Sequence, residues 1–127
     1  MYFVISMVRV FHIKDAAPTG RGGYSARYYA DIQFRQHLET AGFIYVSIPA
    51  CTQTDPHAHE ELEELFIVLT PLVIVVDEKE ISLSPGDLLM VEPNEFHSIR
   101  APLNEEGKLV AIKCPNLKDD KKSIRME

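Results

Sequence analysis

Two histidines separated by one residue, His57 and His59, stand in the stretch DPHAHEELEELFIV, directly ahead of an apolar run. If this stretch is extended, successive side chains alternate between two faces, so both imidazoles project from the same face. Two imidazoles that converge on one point are the minimum geometry for a transition-metal site. The stretch therefore predicts two metal ligands, and the remaining ligands must come from elsewhere in the chain.

One of the glutamates that follow the pair is the best candidate for a third ligand. Glu64 opens the run ELFIVL and, in a strand, shares a face with Phe66 and Val68. A carboxylate that points inward among apolar side chains is costly unless a cation or strong hydrogen-bond donors compensate it. The other three glutamates are predicted to lie in a solvent-facing connecting loop: Glu60, Glu61 and Glu63.

A further imidazole, His97, follows a tight turn at residues 92–94. In a closed all-β fold, this histidine could return to the same interior as the first pair. The remaining histidines, His12 and His37, match no such pattern and are interpreted as surface or loop residues. Three imidazoles and one carboxylate would give a first-row divalent ion four ligands and leave two octahedral positions open, as reactive metals require.

Two alternatives remain open for this region. The segment could be an amphipathic helix, with Leu62, Leu65, Phe66 and Leu69 at helical spacing. The following FIVLTPLVIVV is rich in β-branched residues and is broken by proline at the wrong point for a helix end, which favours strands. Even within strands, the histidines could be structural residues that bind no metal.

The elements that must position these side chains are short strands at roughly ten-residue spacing, with turn residues between them. Such a pattern predicts an all-β sandwich or barrel. The C-terminal NLKDDKKSIRME is predicted to be a charged tail or a short terminal helix. The β-rich stretches are residues 3–13, 24–34, 42–50, a block of four strands within 64–93, and 107–115.

Composition narrows the class of protein. A chain of 127 residues is predicted to form a single domain, 1–127, with its own hydrophobic core. Its net charge of −6, with lysines and arginines scattered, argues against a nucleic-acid or anionic-membrane surface. The N-terminal run lacks a signal-peptide pattern, and Cys51 and Cys114 are interpreted as reduced, mostly buried thiols. These features predict a cytoplasmic location, and Met1–Ser6 could extend outside the folded core.

The spacing of the candidate ligands resembles the first motif of the cupin superfamily. That motif runs Gly, five residues, His-x-His, three or four residues, Glu, six residues, Gly. Here five residues separate Cys51 from His57, four separate His59 from Glu64, and six separate Glu64 from Pro71. Both histidines and the glutamate are in register, and Cys51 and Pro71 replace the glycines. Proline cannot adopt positive φ, so the turn after Leu69 must differ from the usual one.

The sequence also resembles the second cupin motif, which runs Gly, five residues, Pro-x-Gly, two residues, His, three residues, Asn. Gly86 and His97 stand at the separation that this motif requires. The sequence Glu92-Pro93-Asn94 takes the place of Pro-x-Gly, and Asn94 suits a positive φ better than other non-glycine residues. Ala101 replaces the asparagine of the motif. The resemblance covers residues 42–115 and leaves residues 1–41 without a match.

The resemblance implies a single cupin-type jelly-roll β-barrel, commonly homodimeric, that holds one divalent metal ion on His57, His59, Glu64 and His97. Iron, manganese, nickel, zinc and copper are all compatible with these ligands. It also implies a small-molecule ligand, and the function predicted is a metal-dependent dioxygenase or isomerase that acts on an oxygen-rich metabolite. The alternative is a non-catalytic binding or sensor protein, because one fold carries many activities.

Overall fold

The structure is a computed structural model that describes residues 9–123. These residues form short strands joined by turns, with one 3-10 turn at Ile13–Asp15 and no α-helix. The proposed extension Met1–Ser6 lies outside the described residues. The strands are β1 (Arg9–Phe11), β2 (Thr19–Arg21), β3 (Tyr24–Ala26), β4 (Gly42–Ile48), β5 (His57–His59), β6 (Glu63–Val68), β7 (Leu72–Val76), β8 (Lys79–Leu83), β9 (Leu88–Val91), β10 (His97–Arg100), β11 (Gly107–Cys114) and β12 (Lys121–Ser123).

Two five-stranded antiparallel sheets pack face to face as a cupin-type jelly roll, which confirms the predicted all-β fold. The first sheet has the order β1-β9-β6-β11-β4 and the second the order β12-β5-β10-β7-β8. Alternating side chains from both inner faces fill the space between the sheets. This main core includes Phe66, Val68 and Leu109 of the first sheet and Ile74 and Ile99 of the second.

The turns use the backbone conformations that their sequences favour. Asp77 and Glu78 have φ of 46° and 71°, as a two-residue β7–β8 hairpin turn requires. Asn94 has φ of 68°, which confirms its predicted role in the turn before β10. Cys51, at a family glycine position, also takes a left-handed φ of 61°. The chain therefore keeps two of the motif's turns without glycine.

The segment before β4 departs from the sequence prediction. The stretch 24–34 was expected to be a strand, but only Tyr24–Ala26 pairs, in a small hairpin with β2. Residues 27–41 carry no regular structure and cover the outer face of the first sheet. Their apolar side chains form a second core with that face, through Tyr29, Ile32, Phe34 and Leu38. Burial of these side chains holds the segment against the sheet without strand pairing.

The C-terminal segment is also different from the predicted tail or helix. Lys121–Ser123 form β12, which pairs with the short strand β5 along its free edge. An exposed strand edge presents unpaired backbone groups, and β12 satisfies those of β5. The helix alternative for residues 57–69 is wrong, because these residues form β5 and β6.

The cysteines match their prediction only in part. Both are free thiols, but Cys51 is exposed and only Cys114 is buried. Within residues 9–123, no helix has the length and apolar character needed to cross a membrane.

Candidate metal centre

The fold brings all four predicted site residues together between the two sheets. His57 and His59 come from β5, Glu64 from β6 and His97 from β10. Each offers one ligand atom, and these atoms lie within 4.8 Å of one another. His97 is paired directly with His57 across the β5–β10 ladder, so the two rings lie on the same face, with centroids 4.4 Å apart.

Strand alternation aims Glu64 at this cluster. Phe66 and Val68, two and four residues further along β6, lie in the main core, so Glu64 shares their inward face. Glu64 is 4% exposed, and its Oε1 lies 3.3 Å from Nε2 of His59 and 3.2 Å from Nε2 of His97. The carboxylate therefore stands between two imidazoles in a nearly dry interior.

The hydrogen bonding of His97 defines which of its nitrogens can bind a cation. Its Nδ1 lies 3.0 Å from the carbonyl oxygen of Glu95. A carbonyl oxygen only accepts hydrogen bonds, so Nδ1 carries a proton and donates it. In the neutral ring, Nε2 then keeps a lone pair that faces the Glu64 carboxylate. This Nε2 is buried, and within the part of the chain that the structure describes it has no hydrogen-bond partner.

The charges of the cluster also favour metal ligation. Burial by itself raises the pKa of Glu64, but the imidazoles of His59 and His97 outweigh burial and lower this pKa to about 2. Burial, followed by the charges of His97 and Lys121, lowers the pKa of His57 to about 4. At neutral pH the carboxyl group is therefore ionised and His57 is neutral, the forms in which both residues bind metals.

The donor set fits a first-row divalent ion. A neutral imidazole lone pair that faces a carboxylate oxygen at 3.2 Å is unfavourable without a cation or proton between them. Imidazole nitrogens with one carboxylate oxygen suit iron, zinc, copper and nickel alike. The Nδ1 of His59 is also buried and has no hydrogen-bond partner within residues 9–123. A metal-bound histidine usually donates a hydrogen bond from its second nitrogen, so His59 departs from that pattern.

The prediction for the neighbouring glutamates was correct at two positions and wrong at one. Glu60 and Glu61 are exposed in the loop, as expected. Glu63, predicted to face solvent, is 1% exposed and lies in β6. Its Oε1 accepts a hydrogen bond from the backbone N–H of Arg35 at 2.7 Å. Strand β6 begins one residue earlier than predicted, and residues 27–41 cover its outer face.

Asp120, which sequence reasoning missed, holds the loop between the histidine strand and the glutamate strand. Its carboxylate accepts hydrogen bonds from the backbone N–H of Glu61, at 2.9 Å and 3.1 Å to its two oxygens, and from that of Leu62 at 2.9 Å. Its carbonyl oxygen accepts from the N–H of Glu60. No local pattern around Asp120 could have found this role, because its partners lie 58 residues or more away in the chain.

A second set of contacts joins β12 to the turn before His97. The Nζ of Lys122 donates to Oδ1 of Asn94 at 2.7 Å. The backbone N–H of Asn94 donates to the carbonyl oxygen of His59, also at 2.7 Å. The C-terminal strand thus links the elements that carry the first two histidines and the third.

The remaining histidines lie outside the cluster. His37 is exposed, as predicted. His12 is half-buried, and its Nδ1 lies 2.8 Å from Oδ2 of Asp87. Asp87 is buried and also accepts hydrogen bonds from the backbone N–H groups of Ile13 and Ser84. This pair attaches the segment after β1 to the turn before β9.

Five polar or aromatic side chains are further candidates for the rim of a pocket, although surface packing is the simpler interpretation of the sequence. Three of them lie at the surface. Arg35 pairs with Glu92 and Arg100 with Glu80, while Tyr45 is 62% exposed on the outer face of β4. The other two candidates, Arg27 and Tyr29, lie in the segment that covers the first sheet.

A groove in the surface lies behind the cluster. It has a volume of about 470 Å³, and its lining includes Val75, Phe96 and Ser98. Val75 and Ser98 are paired on the outer face of the second sheet, because their neighbours Ile74 and Ile99 point into the core. The lining also includes His97, but the side chain of His97 is 0% exposed and points to the opposite face of the sheet, toward the other ligand candidates.

The comparison with family models identifies the class of protein. The family model described as "Cupin domain" matches residues 44–113, which is more than half of the chain. The chain therefore belongs to the cupin family, as its motifs indicated. A search of curated proteins found no match.

Solved structures with a similar fold include several cupins. A cupin 2 domain-containing protein from Halorhodospira halophila has a TM-score of 0.65 and 16% identity, covering 91% of this chain and 80% of that one. A cupin protein from Bacteroides fragilis has a TM-score of 0.57 and 21% identity, covering 73% and 91%. A salicylate 1,2-dioxygenase from Pseudaminobacter salicylatoxidans has a TM-score of 0.55 and 18% identity, covering 59% of this chain and 21% of the enzyme.

Proposed function

We propose that this cupin is a metal-dependent enzyme that acts on a small, oxygen-rich metabolite. His57, His59, Glu64 and His97 hold its divalent ion. The observation that carries the proposal is the buried Nε2 of His97, which lies 3.2 Å from Oε1 of Glu64 and has no hydrogen-bond partner within the described residues. The carbonyl oxygen of Glu95 accepts a hydrogen bond from Nδ1 of His97. A neutral His97 ring therefore cannot carry its proton on Nε2 without losing that bond.

The side chains of the site have distinct tasks in this proposal. Glu64 supplies negative charge that lowers the net charge of the bound ion, and His97 supplies an oriented nitrogen. Phe66, whose ring centroid is 5.5 Å from that of His97, closes the floor of the site against water. His57 is only half-buried and marks the side from which a ligand enters. When bound, a divalent ion with two open positions would polarise or activate an oxygen-bearing substrate.

The reaction is of the dioxygenase or the isomerase type. The similarity of the fold to that of a salicylate dioxygenase supports an enzymatic role. The identity of the bound metal determines the reaction type. Iron or copper supports oxygen chemistry, whereas zinc, nickel or manganese polarises a carbonyl group. A protein that loads metal but turns over no substrate would instead be a binding or sensor cupin.

Elemental analysis of the purified protein tests the proposal. We expect the wild-type protein to carry a divalent transition metal in equimolar ratio to the chain. His97→Ala is expected to lose most of that metal, whereas the exposed His37→Ala serves as the matched control and keeps it. Circular dichroism and thermal melts of both variants separate metal loss from unfolding. Wild-type protein without metal, or equal metal in a folded His97→Ala variant, would overturn the proposal.

A further inference from the structure

The interior that holds the ligand cluster opens at one end of β4. Every second side chain of β4 lies on the inner face of the sheet, at Ile44, Val46 and Ile48. Ile44 is paired with the core residue Ala111, and Ile48 itself belongs to the core. Ile48 is 3% exposed, whereas Ile44 is 41% exposed. Two residues on the same face of one strand thus differ in exposure because the sandwich is closed near Ile48 and open near Ile44.

Lys113 projects into this open end. Leu109 and Ala111 of β11 lie in the main core, so Lys113 shares their inward face. In the ladder it is paired with Glu64 on one side and with Gly42 on the other, and directly paired residues project to the same face. A half-buried lysine therefore stands beside the carboxylate of the ligand cluster.

Lys121 reaches the cluster from the opposite sheet. It is paired with His59 in the β5–β12 ladder, so its side chain projects to the same face as the imidazole. It is exposed, and its charge contributes to lowering the pKa of His57. The second sheet thus places one ammonium group next to a histidine, and the first sheet places another next to the glutamate.

A neutral polar group completes this rim. A side chain at Gly42 would meet Oδ1 of Asn116, because the asparagine amide occupies the space where a Cβ would lie. Gly42 is paired with Lys113, so this amide stands on the inner face beside the lysine. The absence of a side chain at position 42 thus leaves room for a hydrogen-bonding group at the open end.

The two lysines of this rim make no ion pair within the described residues. Among the ion pairs within residues 9–123, none involves Lys113 or Lys121. Oε1 of Glu64, the nearest carboxylate in the ladder, is directed to His59 and His97 instead. A divalent ion bound to Glu64 would leave a further net positive charge. Two ammonium groups beside a site for a divalent cation favour an anionic partner.

We propose that the ligand of this site is a small organic anion. It presents oxygen atoms to the metal and a second anionic group, a carboxylate or a phosphate, to Lys113 and Lys121. This inference rests on the proposed function and specifies its substrate class. Lysine is well suited to the role, because its flexible stem lets the ammonium group follow a ligand that enters from solvent.

Three probes with a common 2-hydroxycarboxylate head test the second anionic group. Lactate has no charged tail, malate has a carboxylate tail and 3-phosphoglycerate has a phosphate tail. Calorimetric titration of metal-loaded protein is expected to show one of the last two binding about tenfold more tightly than lactate, the effect of one charge-assisted contact. Which of the two binds better identifies the group as a carboxylate or a phosphate.

The double variant Lys113→Gln, Lys121→Gln is expected to remove this preference while keeping its metal and its affinity for lactate. Lys108→Gln is the matched control, because Lys108 lies on the same strand but on the outer face, paired with Ser47. Metal content is measured before and after each titration, since these probes can also chelate metals.

The outcomes separate the two proposals. Metal-loaded protein that binds all three probes equally, or a preference that persists in the double variant, would overturn the inference and leave the metal site standing. If Lys108→Gln lost the preference as completely as the double variant, the preference would depend on the overall charge of the protein. That result would also overturn the inference. Protein that loads no metal would overturn the proposed function, and this inference with it.

Discussion

Two adjacent glutamates on β6 have the same chemistry and nearly the same burial, but entirely different surroundings. Glu63 is 1% exposed and Glu64 is 4% exposed. Glu63 faces outward, beneath residues 27–41, where it accepts a hydrogen bond from the backbone of Arg35. Glu64 faces inward, where its neighbours are the imidazoles of His59 and His97.

The difference shows that burial alone does not identify a functional carboxylate. A buried carboxylate needs compensation, and the two residues receive it in different ways. Glu63 is held by a backbone donor in the second core, where burial, with the charges of Glu63 and Glu64, also raises the pKa of the Cys114 thiol. Glu64 instead faces nitrogen atoms that can share a cation with it. The groups that contact a buried carboxylate, rather than its depth of burial, distinguish a structural carboxylate from a metal ligand.

Exchange of each glutamate for glutamine gives the largest expected contrast. Glu64→Gln removes the anionic ligand, and we expect metal affinity to fall by more than about 100-fold, because loss of even an outer partner typically costs about 10- to 100-fold. Glu63→Gln keeps an oxygen that can accept from Arg35 and should retain wild-type metal affinity. Competition with a chromophoric chelator measures both. Equal losses in the two variants would refute the distinction between the two faces.

Asp120→Ala is expected to have an intermediate effect. Loss of this carboxylate leaves the N–H groups of Glu61 and Leu62 without their acceptor and loosens the loop that leads from His59 into β6. Metal affinity should fall about tenfold, as for other residues that orient ligands indirectly. The exposed neighbour Asp119 provides the control variant Asp119→Ala. If metal affinity survives in Asp120→Ala while only the melting temperature falls, Asp120 supports the fold and not the site.

Another buried carboxylate, Asp87, gives the smallest expected effect, because its partners are all structural. Burial raises its pKa, but hydrogen bonds from Ser84, His12 and Ile13 outweigh burial and leave the pKa below its usual value. A depressed pKa stabilises the folded state above the unfolded pKa of about 4, and this contribution disappears as the pH falls through the folded value.

We therefore expect Asp87→Asn to lower the free energy of unfolding by about 1 kcal/mol at neutral pH, with a smaller difference from wild type below about pH 4. Urea titrations at several pH values measure this difference, with the exposed Asp15→Asn as a control. Metal binding should not change. A difference that grows in acid would contradict the assigned direction of the pKa shift.

Much of the site was predictable because local patterns encode it. The His-x-His spacing places two imidazoles on one face of a strand, and the apolar run after Glu64 aims that residue into the core. The two motif spacings together also led to His97. The stretch 24–34 was predicted less well, because its aromatic residues suit a strand and a loop packed on a sheet equally. Glu63 was misassigned because the boundary of a strand is the least certain part of such a prediction.

By itself, the sequence determined the all-β class, the cupin family and the four residues that meet between the sheets. The all-β class and the direction of His57, His59 and Glu64 follow from the alternation of side chains along strands, which is a local property of the chain. The family and the inclusion of His97 follow from the resemblance to the two cupin motifs. Only the tertiary structure revealed the hydrogen bond that orients His97, the loop support by Asp120 and the two lysines at the open end. The physical reason is that each of these features depends on which strands pair, and in which register. Pairing joins residues that are far apart in the sequence and carry no local signal of their neighbours.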